Sequence, residues 1–593
     1  MAHTIKLGSP EPTRSQRGCA AQSNRCRRLL ILVSVVSVAL AVGLAVSLAI
    51  FAVRRPSNRP PSAGRGPTEA AITRACGVTR YPALCANELT KLPGAAAAGD
   101  AADLVPMSLD ATRRRVAGAL SNASALAVGA PAVADCLELL DVAGELLERS
   151  VRAVAAASPA NSTDAAAAAH TDDDVMTWLS AALTYYDTCH DRLQQAGADD
   201  DVRAQMLEYL TNLGEHLSNS LAIFKELGGG ISGVNRRRLL LDASNNEDDD
   251  DDVGFVPPRW VKHSDRRLLV AAAADIVPDM VVAQDGSGTH LSIGDAVEAA
   301  PEYGSRRVVI YVKAGEYTEN VRIGRSKTNL MLIGAGAGET LVVGRRSVED
   351  GFKTFDTATV SVLADGFMMR DMTVENRAGA VRRQAVALLL SGDHAVAYRC
   401  AVLGYQDTLY AHAQRHFYGE CEVAGTVDVV WGNAAAVLQN CTLRARRPMP
   451  GQKNTLTAQG RTDPNQSTGI SLHRCRLLPA PELAAAAYPT PTYLGRPWKL
   501  YARVVYMVSF MAEHVAAAGW LAWDASGRAP DSTVYYGEYQ NSGPGAAVAG
   551  RVAWPGLHVI TLEAEAMEFT VGRFIDGDSW LPPTGVAFVA GLT

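Results

Sequence analysis

The chain has 593 residues, too many for one ordinary domain, and 48% of them are hydrophobic, enough for sizeable cores. A formal net charge of −6 is close to balanced over that length and excludes a nucleic-acid binder that works through bulk positive charge. Ten cysteines occur without a single Cys-x-x-Cys pair, which argues against structural zinc and leaves no metal site to expect.

In chain order, Leu29 to Val53 is an uncharged, apolar run of 25 residues, longer than the roughly 20 that span a bilayer as a helix. Lys6, Arg14, Arg17, Arg25, Arg27 and Arg28 precede it, so the positive-inside rule predicts a cytoplasmic tail at 1–28 and a signal anchor at 29–53. A long cleaved signal is the alternative. Residues 54–67, rich in Pro, Ser, Gly and Arg, read as a stalk. Export into the lumen makes Asn122, Asn161, Asn440 and Asn465 candidate glycosylation sites, since each heads an Asn-x-Ser/Thr triplet.

From 68 to 227 the composition shifts to Ala, Leu and charged residues, with apolar positions three and four apart around Cys136 and from Val175 to Leu193. That period predicts an antiparallel helical bundle. Its four cysteines, Cys76, Cys85, Cys136 and Cys189, allow three pairings, among which sequence alone does not choose. The segment CGVTRYPALC (Cys76 to Cys85) resembles the opening of plant invertase and pectin methylesterase inhibitor domains. The resemblance implies the pairs 76–85 and 136–189, within a four-helix bundle. A disulfide-tied bundle with no inhibitory role is the alternative.

Residues 228–269 carry an acidic run, Glu247 to Asp252, that cannot fold by burial. Around it the tetrapeptide RRLL occurs twice, giving two basic pairs, Arg237 with Arg238 and Arg266 with Arg267. The expectation is a disordered linker cut by a subtilisin-like processing protease. After Leu269 the texture becomes short β-branched runs broken by Gly, Asn and Asp. A motif recurs at Arg370-Asp371, Arg399-Cys400, Asn440-Cys441 and Arg474-Cys475, uneven in spacing as coils with loop insertions would be. This predicts that 270–593 is a right-handed parallel β-helix, with Cys421 and Cys441 on successive coils close enough to form a disulfide.

Within it, GYQDTLY (Gly404 to Tyr410) and GTVDVVWG (Gly425 to Gly432) each set one carboxylate, Asp407 and Asp428, among apolar neighbours. A buried carboxylate is costly unless it has partners or work. One coil apart, two such groups push their pKa values in opposite directions and so supply one base or nucleophile and one acid. From Val281 to about Pro582 the chain resembles plant pectin methylesterases through VVAQDGSG, YVKAGEYTENV, RRQAVAL, the two motifs above, TAQGRTDPNQ, YLGRPWK and YYGEYQNSGPG. The resemblance implies Asp428 as nucleophile, Asp407 as acid/base, Gln384 and Gln406 as oxyanion donors, and Arg496, Trp498 and Thr354 as substrate-binding residues, with Arg496 paired to Asp428. It implies hydrolysis of pectin methyl esters with no cofactor. The expected partners are methylated pectin, the processing protease, a proteinaceous inhibitor and, before processing, the membrane. The chain is expected to be a monomer that reaches the cell wall from a Golgi-anchored precursor.

The sequence departs from the family pattern at Val429-Val430-Trp431, where Phe-Ile-Phe is usual, and at Asn376 to Ala380 and Gly334 to Gly336. None of these removes an expected catalytic group. A polygalacturonase or pectate lyase reading fails for want of a His-bearing acidic motif or a calcium-binding cluster in the coiled part.

Overall fold

The computed structural model describes residues 67–127, 130–156, 171–195, 200–228, 277–486, 490–523 and 530–593. The expected membrane anchor and Asn161 lie outside these residues. So do all four arginines of the expected processing sites: Arg237, Arg238, Arg266 and Arg267. Among the described residues, no helix is long and apolar enough to cross a membrane.

The first part is helical: α1 (Pro67–Gly77), α2 (Pro82–Leu89), α3 (Val105–Ala123), α4 (Pro131–Ala156), α5 (Asp172–Gln195), α6 (Asp200–Tyr209) and α7 (Leu213–Leu227). Helices α3, α4, α5 and α7 close a ring of four packed neighbours, the bundle expected. In α4 the buried positions Val133, Cys136, Leu140, Ala143, Leu147 and Ser150 repeat every three or four residues, so one stripe faces the bundle core. Cys76–Cys85 ties α1 to α2, and Cys136–Cys189 ties α4 to α5, as the resemblance implied.

Helix α5 differs from the others. It opens with Asp172, Asp173 and Asp174, favourable charges at a helix N-terminus. From Thr177 to Tyr185 it is buried on every side, including Ser180 and Thr184. One face joins the bundle core and the other lies on the β-part, with which the bundle forms one compact unit, Pro67–Thr593.

The second part is a coil of three parallel sheets with eleven, eight and seven strands, the parallel β-helix expected. Each turn visits the three sheets in the same order, so equivalent residues stack from coil to coil. Where the eleven-stranded sheet turns into the eight-stranded one, six successive coils place one residue in the left-handed region: Asp371, Arg399, Glu420, Asn440, Arg474 and Val508. The next residue points inward, and this makes a ladder of Cys400, Cys421, Cys441 and Cys475, continued by Ser509. The recurring motif is therefore this corner, with Glu420-Cys421 as a member that residue-by-residue similarity hides.

The ladder corrects one expectation. Cys421 and Cys441 are free thiols, as are Cys400 and Cys475, and all four are buried. Stacked residues in register hold their Cβ atoms about 4.8 Å apart with parallel bonds, whereas a disulfide needs about 3.8 Å. Each sulfur instead meets backbone: the amide of Cys400 donates to Cys421 Sγ, and that of Cys421 to Cys441 Sγ, both at 3.4 Å.

Candidate active site

The seven-stranded sheet carries the site. Its strands pair in one unbroken register row that runs Arg322, Ser361, Leu389, Tyr410, Trp431, Ala458, Arg496. The alternate positions on the same strands, among them Val321, Val360, Leu388, Leu409 and Val430, fill the interior of the coil. The row from Arg322 to Arg496 thus forms the outer floor.

Asp407 and Asp428 precede this row by equal steps. Leu409 pairs with Val430, so the aspartates two residues earlier stand opposite each other on adjacent coils. Both adopt positive φ, 64° and 54°, at the bend where each coil enters the sheet. A short polar side chain tolerates that conformation. Gln384 and Gln406 are likewise bridged neighbours on adjacent coils. Gly432 explains the glycine closing the second motif: at φ 124° a Cβ there would lie 2.0 Å from the Ala411 carbonyl oxygen.

Arg496 grips Asp428 in a bidentate pair, Nε to Oδ1 at 2.8 Å and Nη2 to Oδ2 at 2.6 Å. Thr455 Oγ1 donates to Asp428 Oδ1 at 2.7 Å and accepts from the Asp428 amide at 2.8 Å. Burial of Arg496 works against its charge, yet the pair with Asp428 outweighs it and raises its pKa. The Arg496 guanidinium also lies 4.2 Å from the Trp523 ring centroid. Asp407 is pushed well above the usual carboxylate range, first by burial and then by the charge of Asp428, with Arg496 opposing. The two carboxylates therefore sit in unlike surroundings, one clasped by a guanidinium and a hydroxyl, the other desolvated.

These groups line a cavity of about 250 Å³. Gln384, Gln406, Asp407, Asp428, Arg496, Trp498 and Thr354 all border it, so every residue expected at the site is brought together. Sequence reasoning did not single out Thr455, Phe355, Tyr410 or Trp523. Tyr410 stacks on Trp431 with ring centroids 3.5 Å apart, and Trp498 meets Trp431 edge-on at 5.4 Å. The outward strand position of Tyr410, beside Asp407, was the available signal. Thr455 offered none.

Thr188, Asp191 and Arg192 of α5 also line the cavity. Around it α5 makes a polar seam with the coil. Thr188 Oγ1 lies 2.8 Å from His412 Nε2, and Tyr185 Oη 2.6 Å from Ser391 Oγ. Asn433 Nδ2 donates to Thr184 Oγ1 at 2.8 Å, and Thr462 Oγ1 to Asp187 at 2.6 Å. Lys499 binds Asp191 at 2.8 Å and Arg192 binds Asp356 at 2.7 Å.

The candidate glycosylation sites fall in different places. Asn122 and Asn440 are exposed, whereas Asn465 is half-buried and accepts from Lys225 of α7 at 3.3 Å. Among the described residues no cluster of three or more His, Cys, Asp or Glu side chains is disposed to hold a metal.

The model of the family described as Pectinesterase matches residues 279–578, and that described as Plant invertase/pectin methylesterase inhibitor matches residues 70–223. The chain belongs to the pectinesterase family. It is 46% identical over 545 residues to a probable pectinesterase/pectinesterase inhibitor 61 of Arabidopsis thaliana, covering 90% of this chain and 89% of that one. It is 40% identical over 560 residues to pectinesterase 2 of Citrus sinensis, covering 93% of this chain and all of the other. Among solved structures, pectin methylesterase from carrot superposes with a TM-score of 0.52 at 49% identity, covering 53% of this chain and 98% of its own. This pectinesterase thus joins an esterase coil to an inhibitor-like bundle in a single chain.

Proposed function

We propose that the chain is an aspartyl esterase held closed by its own bundle. Asp428 attacks the carbonyl carbon of a pectin methyl ester. The oxyanion that forms accepts hydrogen bonds from the side-chain amides of Gln384 and Gln406, and one such donor is worth about 3 kcal/mol. As the intermediate collapses, protonated Asp407 gives its proton to the departing oxygen and methanol leaves. Asp407, now a carboxylate, takes a proton from water, which attacks the acyl–Asp428 anhydride and frees the pectate carboxylate. Trp498, Trp431 and Tyr410 give flat faces for pyranose rings.

The observation that carries the reading is the pairing of Asp407 and Asp428 in one register on adjacent coils, with burial raising the first and Arg496 clasping the second. Roofing of the same cavity by Thr188, Asp191 and Arg192 supports the inhibitory half. A polymer chain cannot thread a cleft that α5 covers. Cleavage after the pair Arg237 and Arg238, or after the pair Arg266 and Arg267, then separates the cover from the esterase. The membrane anchor leaves with the cover, and the esterase is released to the cell wall. Methanol release from methylated pectin is the test. The 270–593 fragment should be active. The full chain with Arg237, Arg238, Arg266 and Arg267 all changed to Ala should be at least tenfold slower at equal molarity. Equal rates would reduce the bundle to a retention device.

A further inference from the structure

The outer floor row has an arginine at each end, and only one of them is at the reactive centre. Arg322 closes the row four strand steps from Trp431, a backbone separation of about 19 Å at the usual spacing between neighbouring strands. Beside it lies a second hollow of about 70 Å³, bordered by Asn320, Arg322, Arg346, Ser361 and Asp356, with Phe355 as the wall shared with the catalytic cavity. The two hollows therefore follow one another along the coil axis, the same direction in which the aromatic faces of Tyr410, Trp431 and Trp498 succeed one another across the strands.

A carboxylate already occupies this remote end. Glu138 of α4 pairs with Arg322, and Asp141 pairs with Arg325, which also meets Glu145 at 3.6 Å. Glu138, Asp141 and Glu145 lie three and four residues apart, so α4 lays one acidic stripe along the basic edge. Their carboxylates stand where the free carboxylates of a demethylated pectin chain would stand once the bundle has left. The esterase part as a whole gives no such attraction, with 28 Lys plus Arg against 31 Asp plus Glu from Val270 onward. Asp356 subtracts one charge from the hollow, and it is now held by Arg192 at 2.7 Å. Arg322 and Arg346 leave the hollow net positive.

The geometry points to Arg322, supported by Arg346, as a remote subsite that binds a free uronate carboxylate and directs the enzyme to esters several sugars away from an already demethylated stretch. This rests on the esterase reading above and adds to it the kind of chain the cleft prefers. Arg322 is half-exposed and outside the catalytic cavity, so its effect is a matter of ion pairing with substrate rather than of the chemical step.

The test uses the 270–593 fragment, whose counterpart in carrot pectin methylesterase is a folded chain of its own. It compares kcat/KM on two long substrates, a fully methylated and a partly demethylated polygalacturonate. In Arg322→Ala the ratio of the second to the first should fall about three- to fivefold, the scale of one exposed ion pair. Arg322→Lys should retain most of the ratio, and about 1 M salt should abolish the difference between wild type and variant. On a methylated trisaccharide, too short to reach the remote hollow, variant and wild type should turn over equally. An active fragment whose ratio is unchanged even when Arg322→Ala and Arg346→Ala are combined overturns the subsite alone, as does an equal loss on both polymers. A wild-type fragment silent on every ester sinks the esterase reading and the subsite with it.

Discussion

Asp428→Asn removes the carboxylate that Arg496 and Thr455 hold beside the cavity and that the proposed mechanism uses as nucleophile. Methanol release should fall to background while the melting temperature stays near that of the wild type. A well-folded variant with normal turnover would contradict the assignment. The proposed mechanism makes Asp407 the acid, and its raised pKa keeps it protonated well above the usual carboxylate range. Proton delivery is therefore complete at low pH and fails as pH rises through that raised value. The basic limb of the pH profile of kcat should accordingly be lost in Asp407→Asn, whose residual rate is low. A titration of the wild type reports the coupled pair rather than either residue. Gln406→Ala should lower kcat by about 10²- to 10³-fold with little change in KM. The aspartates were legible because a carboxylate amid apolar residues demands an explanation. Thr455 was not, since a threonine in a strand-like run is an ordinary β-former until the fold sets its hydroxyl against Asp428.

Among elements, α5 decides how firmly the cover is held. The sequence shows its apolar stripe, but nothing in it marks Ser180, Thr184, Asp187, Thr188 and Asp191 as a contact face. Only the coil beneath reveals them as a second interface. Asp187 lies in that seam, where burial pushes its pKa up to about 7, with Thr462 and Lys499 lowering it and Asp191 and Asp463 raising it. A carboxyl whose pKa is raised in the docked state contributes stability that is fully present below its ordinary value, about 3.9, and is lost as pH rises through about 7. Docking of a cleaved bundle on the esterase should therefore weaken from about pH 4 to about pH 7 and level off above that, and Asp187→Asn should flatten that dependence. Calorimetric affinities at a series of pH values decide it. The cysteine ladder makes the opposite kind of case. The repeat of the corner was legible in sequence, but proximity on successive coils did not translate into a bond, because in-register stacking fixes the Cβ spacing. Alkylation of the unfolded esterase fragment without reductant should label four cysteines. Cys421→Ser should cost only about 1 kcal/mol, since Ser509 already fills the equivalent corner and donates to the Leu472 carbonyl at 3.2 Å.

At the scale of the whole molecule, an esterase and its cover share one chain. The seam combines the polar contacts of α5 with an apolar cluster that runs from the bundle core onto Phe355, Leu363, Leu389, Ala413 and Trp431 of the coil. Its exposed ion pairs, such as Arg322 with Glu138, contribute about 0–1 kcal/mol each. On the proposed function, the connecting sequence of about 42 residues from 228 to 269 acts as a tether and adds an effective concentration in the millimolar range to the contacts of the seam. In that proposal cleavage removes the tether's contribution and leaves the seam alone to hold the bundle on dilution. The same logic predicts activation without cleavage. Ser180 is fully buried against the coil, its Oγ accepting from the Ser467 amide at 3.1 Å and lying 3.4 Å from Ser467 Oγ. Arginine at that position cannot fit under a seated α5, while the Cys136–Cys189 bond that holds α5 to α4 is left intact. Ser180→Arg in a full chain lacking both basic pairs should therefore release methanol at nearly the rate of the free 270–593 fragment. The same uncleavable chain with serine retained should be at least tenfold slower. If Ser180→Arg makes the bundle accessible to protease yet leaves the esterase silent, the block lies in the coil and not in its cover.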